Sequence, residues 1–193
     1  MKLTTIKEDF LCESGVPRSK GLHLTTIIYD LLTVLREQKH HDLPITELQA
    51  QFEKGFIWER VLSRAFGERT ALRPGEVECD GITGSPDGLN FITIHTNGTI
   101  SYDGDTMVIE EYKCTNYSSN KTPDMMLGWI MQVEGYCHMM QLTACLFRVL
   151  YLQGDYSTNR NPQSRVYFLQ FGETELEENW RIITNHAKSK GWL

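Results

Sequence analysis

From Leu24 to about Lys39 the apolar side chains Ile27, Ile28, Leu31, Leu32 and Leu35 recur at the spacing of one helix face, with Thr25 or Thr26 as cap. Leu43-Pro44 breaks that pattern. A second helical stripe, Phe52, Phe56, Val61, Leu62 and Phe66, runs over about 46–66 and stops at Gly67. The period then falls to two, predicting strands at 77–83 and 89–95, a short return strand, and another strand at 107–114. Three connections separate them: a tight turn at Gly84-Ser85-Pro86-Asp87-Gly88, a hairpin turn of primed type at Asn97-Gly98, and a turn at Asp103-Gly104-Asp105. Thr122-Pro123-Asp124 opens a helix that continues to about Met140. Ala144 to Gln153 and Val166 to Phe171 read as strands around a polar loop, and an amphipathic helix runs from Glu173 to about Lys188.

This order predicts an α/β fold, a single domain with a central mixed β-sheet covered by helices on both faces. The strand at 107–114, the helix after it and the strand at 144 form one crossover unit, right-handed if its strands are parallel. Residues 1–22 lack a sustained period and read as an N-terminal tether to a domain at 23–193. A chain of 193 residues buries a core without help from disulfides. The five cysteines, Cys12, Cys79, Cys114, Cys137 and Cys145, form no CxxC pair and read as reduced thiols. With no signal-like apolar run before Asp9 and no stretch of about 18 apolar residues, the expected setting is the cytoplasm, away from membranes.

A net charge of −6 weighs against tight non-specific binding to nucleic acid. The distribution is uneven, however. Glu173, Glu175, Glu177 and Glu178 carry part of the acidic excess, whereas Lys54, Arg60, Arg64, Arg69 and Arg73 make a basic stretch before the strands.

The candidate chemistry lies at Asp87, Glu111 and Lys113. Glu111 and Lys113 alternate to one face of their strand, and Glu110 and Tyr112 to the other, so Glu111 rather than Glu110 joins Asp87. Two carboxylates suit a hard cation such as Mg²⁺ or Mn²⁺, and an amine beside them can orient or deprotonate a water and stabilise developing charge. Taken singly, Asp87 also reads as a turn residue, and Glu111 with Lys113 as a salt bridge on an exposed strand. Gly55 and Glu59, and likewise Gln132 and Tyr136, are four apart on one helix face. Other chemistries are poorly supplied. Ser85 lacks a nucleophile elbow, the histidines are scattered, and Met125, Met126, Met131, Met139 and Met140 read as core or interface filler.

Pro86-Asp87 followed by Glu111-Tyr112-Lys113 resembles the PD-(D/E)xK nuclease superfamily. Gly55-Phe56-Ile57-Trp58-Glu59 looks like the GxxxE, and Gln132-Val133-Glu134-Gly135-Tyr136 like the QxxxY, of its RecB-like and lambda-exonuclease-like branch. The resemblance covers about 24–170 and implies a restriction-endonuclease-like core. It implies a stand-alone, phage-type exonuclease that hydrolyses DNA from its ends in recombination, repair or phage DNA processing, inside a bacterial host cell if phage-encoded. The implied catalytic set is Asp87, Glu111, Lys113, Gln132 and Tyr136, with Mg²⁺ or Mn²⁺ held by Glu59, Asp87, Glu111 and Tyr112. Arg60 and Arg64, with the loop from Ser118 to Lys121, would grip a terminal phosphate. Implied partners are duplex DNA ends, further copies of the chain, and a single-strand annealing or binding protein. The chain departs from the branch's iron–sulfur members, because no four-cysteine set closes its C-terminus. Two alternatives stay open: a structure-selective endonuclease with the same chemistry, and a catalytically silent DNA-binding module.

Overall fold

The computed structural model describes residues 19–35, 54, 55, 57, 58, 60, 61 and 72–193. Strand β1 (Leu22–His23) runs straight into helix α1 (Leu24–Val34). His23 occupies the cap position without a side-chain bond to the helix, so neither Thr25 nor Thr26 caps it. Pairing of Leu22 with Ile82 and His23 with Thr83 holds the chain extended up to that residue, and the helix starts immediately after it. The described residues of the second predicted helix are helical and bury Trp58; its remainder, Glu59 and Arg64 included, lies outside the described residues.

The segment expected as one strand at 77–83 is a hairpin. β2 (Val77–Cys79) and β3 (Ile82–Gly84) pair antiparallel, and the two turn residues Asp80 and Gly81 both have positive φ, 50° and 77°. Asp-Gly is a strong signal for that turn. β4 (Gly88–Ile94) and β5 (Ile100–Thr115) then pair antiparallel. Their connection is not the two-residue primed turn expected at Asn97-Gly98. His95 N–H bonds Thr99 O at 2.9 Å across three residues, and of the pair only Gly98 has positive φ. The turn expected at Asp103-Gly104-Asp105 is instead an insertion within β5, since Ile92 pairs with Thr106 while Thr93 pairs with Ser101. Gly104 is needed for closeness rather than for turning: a Cβ there would lie 2.1 Å from the carbonyl carbon of Ile92.

A single 3₁₀ turn (Pro123–Met125) leads into α2 (Leu127–Met140), and β6 (Ala144–Tyr151) returns parallel to β5. β7 (Gln163–Gln170) closes the sheet antiparallel, and α3 (Glu173–Ser189) ends the fold. Strand orders are β1-β3-β2 and β4-β5-β6-β7, so two mixed sheets are flanked by α1, α2 and α3 in a single α/β domain.

The main core joins Leu24 and Ile27 of α1, Val133 and Tyr136 of α2 and Trp180 and Ile183 of α3 to one face of the larger sheet, at Ile109, Phe147, Val149 and Tyr151. A smaller cluster of Ile92, Val108, Ala144 and Leu146 occupies the opposite face. Among the described residues, α1, α2 and α3 all pack on the first of these faces. Ile100 and Tyr102 from the first half of β5 pack on the other face. No helix among the described residues is long and apolar enough to cross a membrane. Cys79, Cys114, Cys137 and Cys145 are free thiols.

Candidate active site

Gly88 pairs with Glu110, so the turn just before β4 lies beside the middle of β5, where Glu111 sits. Asp87 is fixed there by the backbone N–H of Tyr112, which donates to Asp87 Oδ2 at 2.7 Å. One hydrogen bond thus staples the Pro-Asp turn to the strand that carries the second carboxylate and the amine.

Glu111 is 2% exposed, and its Oε1 accepts from Lys113 Nζ at 2.6 Å and from Gln132 Nε2 at 3.1 Å. Lys113 Nζ also donates to Gln132 Oε1 at 3.0 Å. The other proton of the Gln132 amide goes to the Tyr136 hydroxyl at 2.9 Å, which in addition takes a backbone hydrogen bond from Ser85. Gln132 and Tyr136 can do this because positions i and i+4 share a helix face. Tyr136 lies flat against the end of β3 because Gly84 has no side chain: a Cβ there would be 3.0 Å from the ring and 2.8 Å from Met139 Sδ. The result is a closed circuit, from the Asp87 turn through Tyr136 and Gln132 to Lys113 and Glu111 and back through Tyr112.

The electrostatics fit the hydrogen bonds. Burial alone would lower the Lys113 pKa, but the charges of Glu111 and Asp87 outweigh it and the net shift is upward, so the ammonium is retained. Burial pushes the Tyr136 phenol well above its ordinary range, and the charge of Glu111 adds to it, so the hydroxyl keeps its proton. Both shifts place Asp87 and Glu111 in one field. Among the described residues no group of three or more His, Cys, Asp and Glu converges. The pair Asp87 and Glu111 nevertheless has the chemistry of a hard-cation site, in which waters fill the remaining positions.

No family model and no curated protein matches the chain. Two solved structures resemble it over 88% of its length: SSO0001, at 14% identity, a TM-score of 0.50 and 78% of that chain, and LHK-Exo in complex with dAMP, at 12% identity, a TM-score of 0.50 and 87% of that chain. LHK-Exo is an alkaline exonuclease from Laribacter hongkongensis. The chain shares the fold of these two structures. At such low identity the likeness concerns the fold alone.

The other residues singled out in the sequence are placed as follows. The Tyr112 side chain points away from the site and its hydroxyl donates to Glu110 Oε2, so what meets Asp87 is its backbone N–H. Arg60 is exposed on the helical stretch; Glu59 and Arg64 lie outside the described residues. The Ser118 hydroxyl is already used, donating to Asp155 O in the β6–β7 loop at 3.3 Å and accepting from Asn120 N–H in its own loop at 3.2 Å. Lys121 is exposed and joins Lys113 on a groove of about 750 Å³. Tyr29, Tyr117 and Trp129 also line that groove, and motif reasoning passed over all three. Trp129 had a legible signal, since it lies one helical turn before Gln132 on the same face.

Proposed function

We propose that the chain is a Mg²⁺- or Mn²⁺-dependent deoxyribonuclease that hydrolyses phosphodiesters from DNA ends. The observation that carries this reading is the locked set of Glu111, Lys113 and Gln132 with Asp87 stapled to the same strand, within a nuclease-like fold. Asp87 and Glu111 would hold the cation. When bound, such an ion supplies Lewis acidity at the scissile phosphate and lowers the pKa of a water.

The chain's own groups do the remaining work. Lys113, held as an ammonium, orients the water or a phosphate oxygen and offsets the charge that develops there. Gln132 accepts from Lys113 and donates to Glu111, which fixes the orientation of their ion pair. Tyr136 fixes the Gln132 amide and the turn that carries Asp87.

The test is end-labelled linear duplex, single strand and closed circular DNA, each incubated with Mg²⁺ and with chelator and resolved over time. Loss of label from ends with the circle intact is expected. Nicking of the circle at the same rate would replace the exonuclease reading with the endonuclease one. No Mg²⁺-dependent cleavage of any substrate would overturn both.

A further inference from the structure

The groove that leads away from Lys113 has features that phosphodiester hydrolysis does not require. Its volume, about 750 Å³, lies within the roughly 300–1,000 Å³ of ligand pockets. Lys54, Lys113 and Lys121 line it, and among the described residues its lining includes no carboxylate, on a protein whose net charge is −6. Aromatic rings stand along it in a supported row. Trp129 stacks on buried Phe147 at 5.6 Å, Tyr117 lies 6.1 Å from Trp129 and is 45% exposed, and Lys121 Nζ sits 5.1 Å from the Tyr117 ring centroid. Tyr29, 58% exposed, lines the groove from α1.

The loop that presents Tyr117 and Lys121 is built, not loose. Ser119 is fully buried, with its carbonyl bound by Arg165 at 2.7 Å and its N–H by Gly154 O at 2.7 Å. The Tyr151 hydroxyl donates to Lys121 O at 2.7 Å.

We propose that this groove is a subsite for an unpaired nucleotide strand, with a base stacked on Tyr117 and the adjoining phosphates toward Lys121 and Lys54. The proposal rests on the nuclease reading, and it names the form of DNA that the site receives. In a duplex the neighbouring base pairs cover each base face, so an exposed ring selects a nucleotide that has left the stack. An acidic protein also gains little from duplex charge alone, while three lysines in one groove match a short run of phosphates.

Binding is measured in chelator, where cleavage plays no part, by the fluorescence anisotropy of a short labelled single strand and of its blunt duplex. Single strand is expected to bind more tightly. Tyr117→Ala should weaken it about 10-fold and Tyr117→Phe should not, since stacking survives in Phe. Lys121→Ala should lower the salt dependence by about 0.7 in log K against log salt. Equal affinity for duplex, or unchanged binding by Tyr117→Ala, would overturn the proposal. Failure to bind any oligonucleotide would also overturn it, leaving the groove to a protein partner. The two readings fail separately: single-strand binding that depends on Tyr117 without any Mg²⁺ cleavage sinks the nuclease and upholds the subsite, whereas cleavage with Tyr117-independent binding does the reverse.

Discussion

Glu110 and Glu111 are neighbours on β5, both buried, 1% and 2% exposed, yet they belong to different kinds of structure. Glu110 faces Arg148 at 3.1 Å, Asn90 at 3.2 Å and the Tyr112 hydroxyl, and the same Arg148 nitrogen reaches the Tyr102 hydroxyl at 2.5 Å. The guanidinium side chain is itself only 4% exposed, so that network is closed. Glu111 faces Lys113, whose side chain is 21% exposed and borders a cavity of about 170 Å³ lined also by Gln132, Tyr29 and Trp129. Burial of a carboxylate is common to both faces. What differs is whether its counter-ion can reach a ligand, and an ammonium at a cavity edge can, whereas a guanidinium sealed among rings cannot.

The strongest test of this contrast is to neutralise each side. Asp87→Asn and Glu111→Gln should each lower Mg²⁺-dependent cleavage by about 10³-fold or more with the melting temperature retained, as read by single-turnover rates beside circular dichroism. On the other face the loss should appear in stability. Glu110→Ala or Arg148→Ala leaves one buried charge unpaired, at a cost of about 3–5 kcal/mol in urea unfolding. The double change to methionine should recover most of that, because it removes both charges at once. A stable Glu110→Ala protein, or one that loses catalysis while fully folded, would erase the distinction between the faces.

Lys113→Ala should sit between these extremes. If the ammonium acts on developing charge, kcat falls by about 10²-fold while DNA affinity in Ca²⁺ changes little. The opposite split would make Lys113 a phosphate anchor.

The division of labour between Glu110 and Glu111 was legible because a strand alternates strictly, and no other information was needed to assign the faces. The crossover from β5 through α2 to β6 was legible for the same reason, with a clear change of period on either side. The losses came where local signals conflict or where contacts are distant. Asp80-Gly81 is a turn signal set in a short run of strand-forming residues, and the run was read as continuous. Gly104, between two aspartates, looks like a turn, but its lack of a side chain serves close approach to Ile92. The staple from Tyr112 N–H to Asp87 and the bond from Ser85 to Tyr136 join residues far apart in sequence, and no spacing announces them. The groove aromatics were missed because Tyr29, Tyr117 and Trp129 come from three separate segments that only the fold assembles.

A third buried carboxylate sharpens the comparison. Glu134, 6% exposed on α2, is neighboured by Glu175 of α3 rather than by a cation. Burial first, and then the like charge, raise its pKa from 4.5 to about 7. The folded state therefore keeps a proton that the unfolded chain releases above pH 4.5. Stability from this group is greatest below 4.5, falls as pH rises to about 7, and stays at the lower level above it. Glu134→Gln should remove that slope. The variant should match the wild type near pH 4 and exceed it at pH 8 by about 1–3 kcal/mol, measured as urea midpoints across the range. Glu175→Gln should remove part of the slope, since burial remains. Both variants should cleave DNA at the wild-type rate per folded molecule, because Glu134 turns toward α3 while Gln132, two residues earlier, turns toward Lys113. A wild-type slope that survives Glu134→Gln would assign the pH dependence to another group.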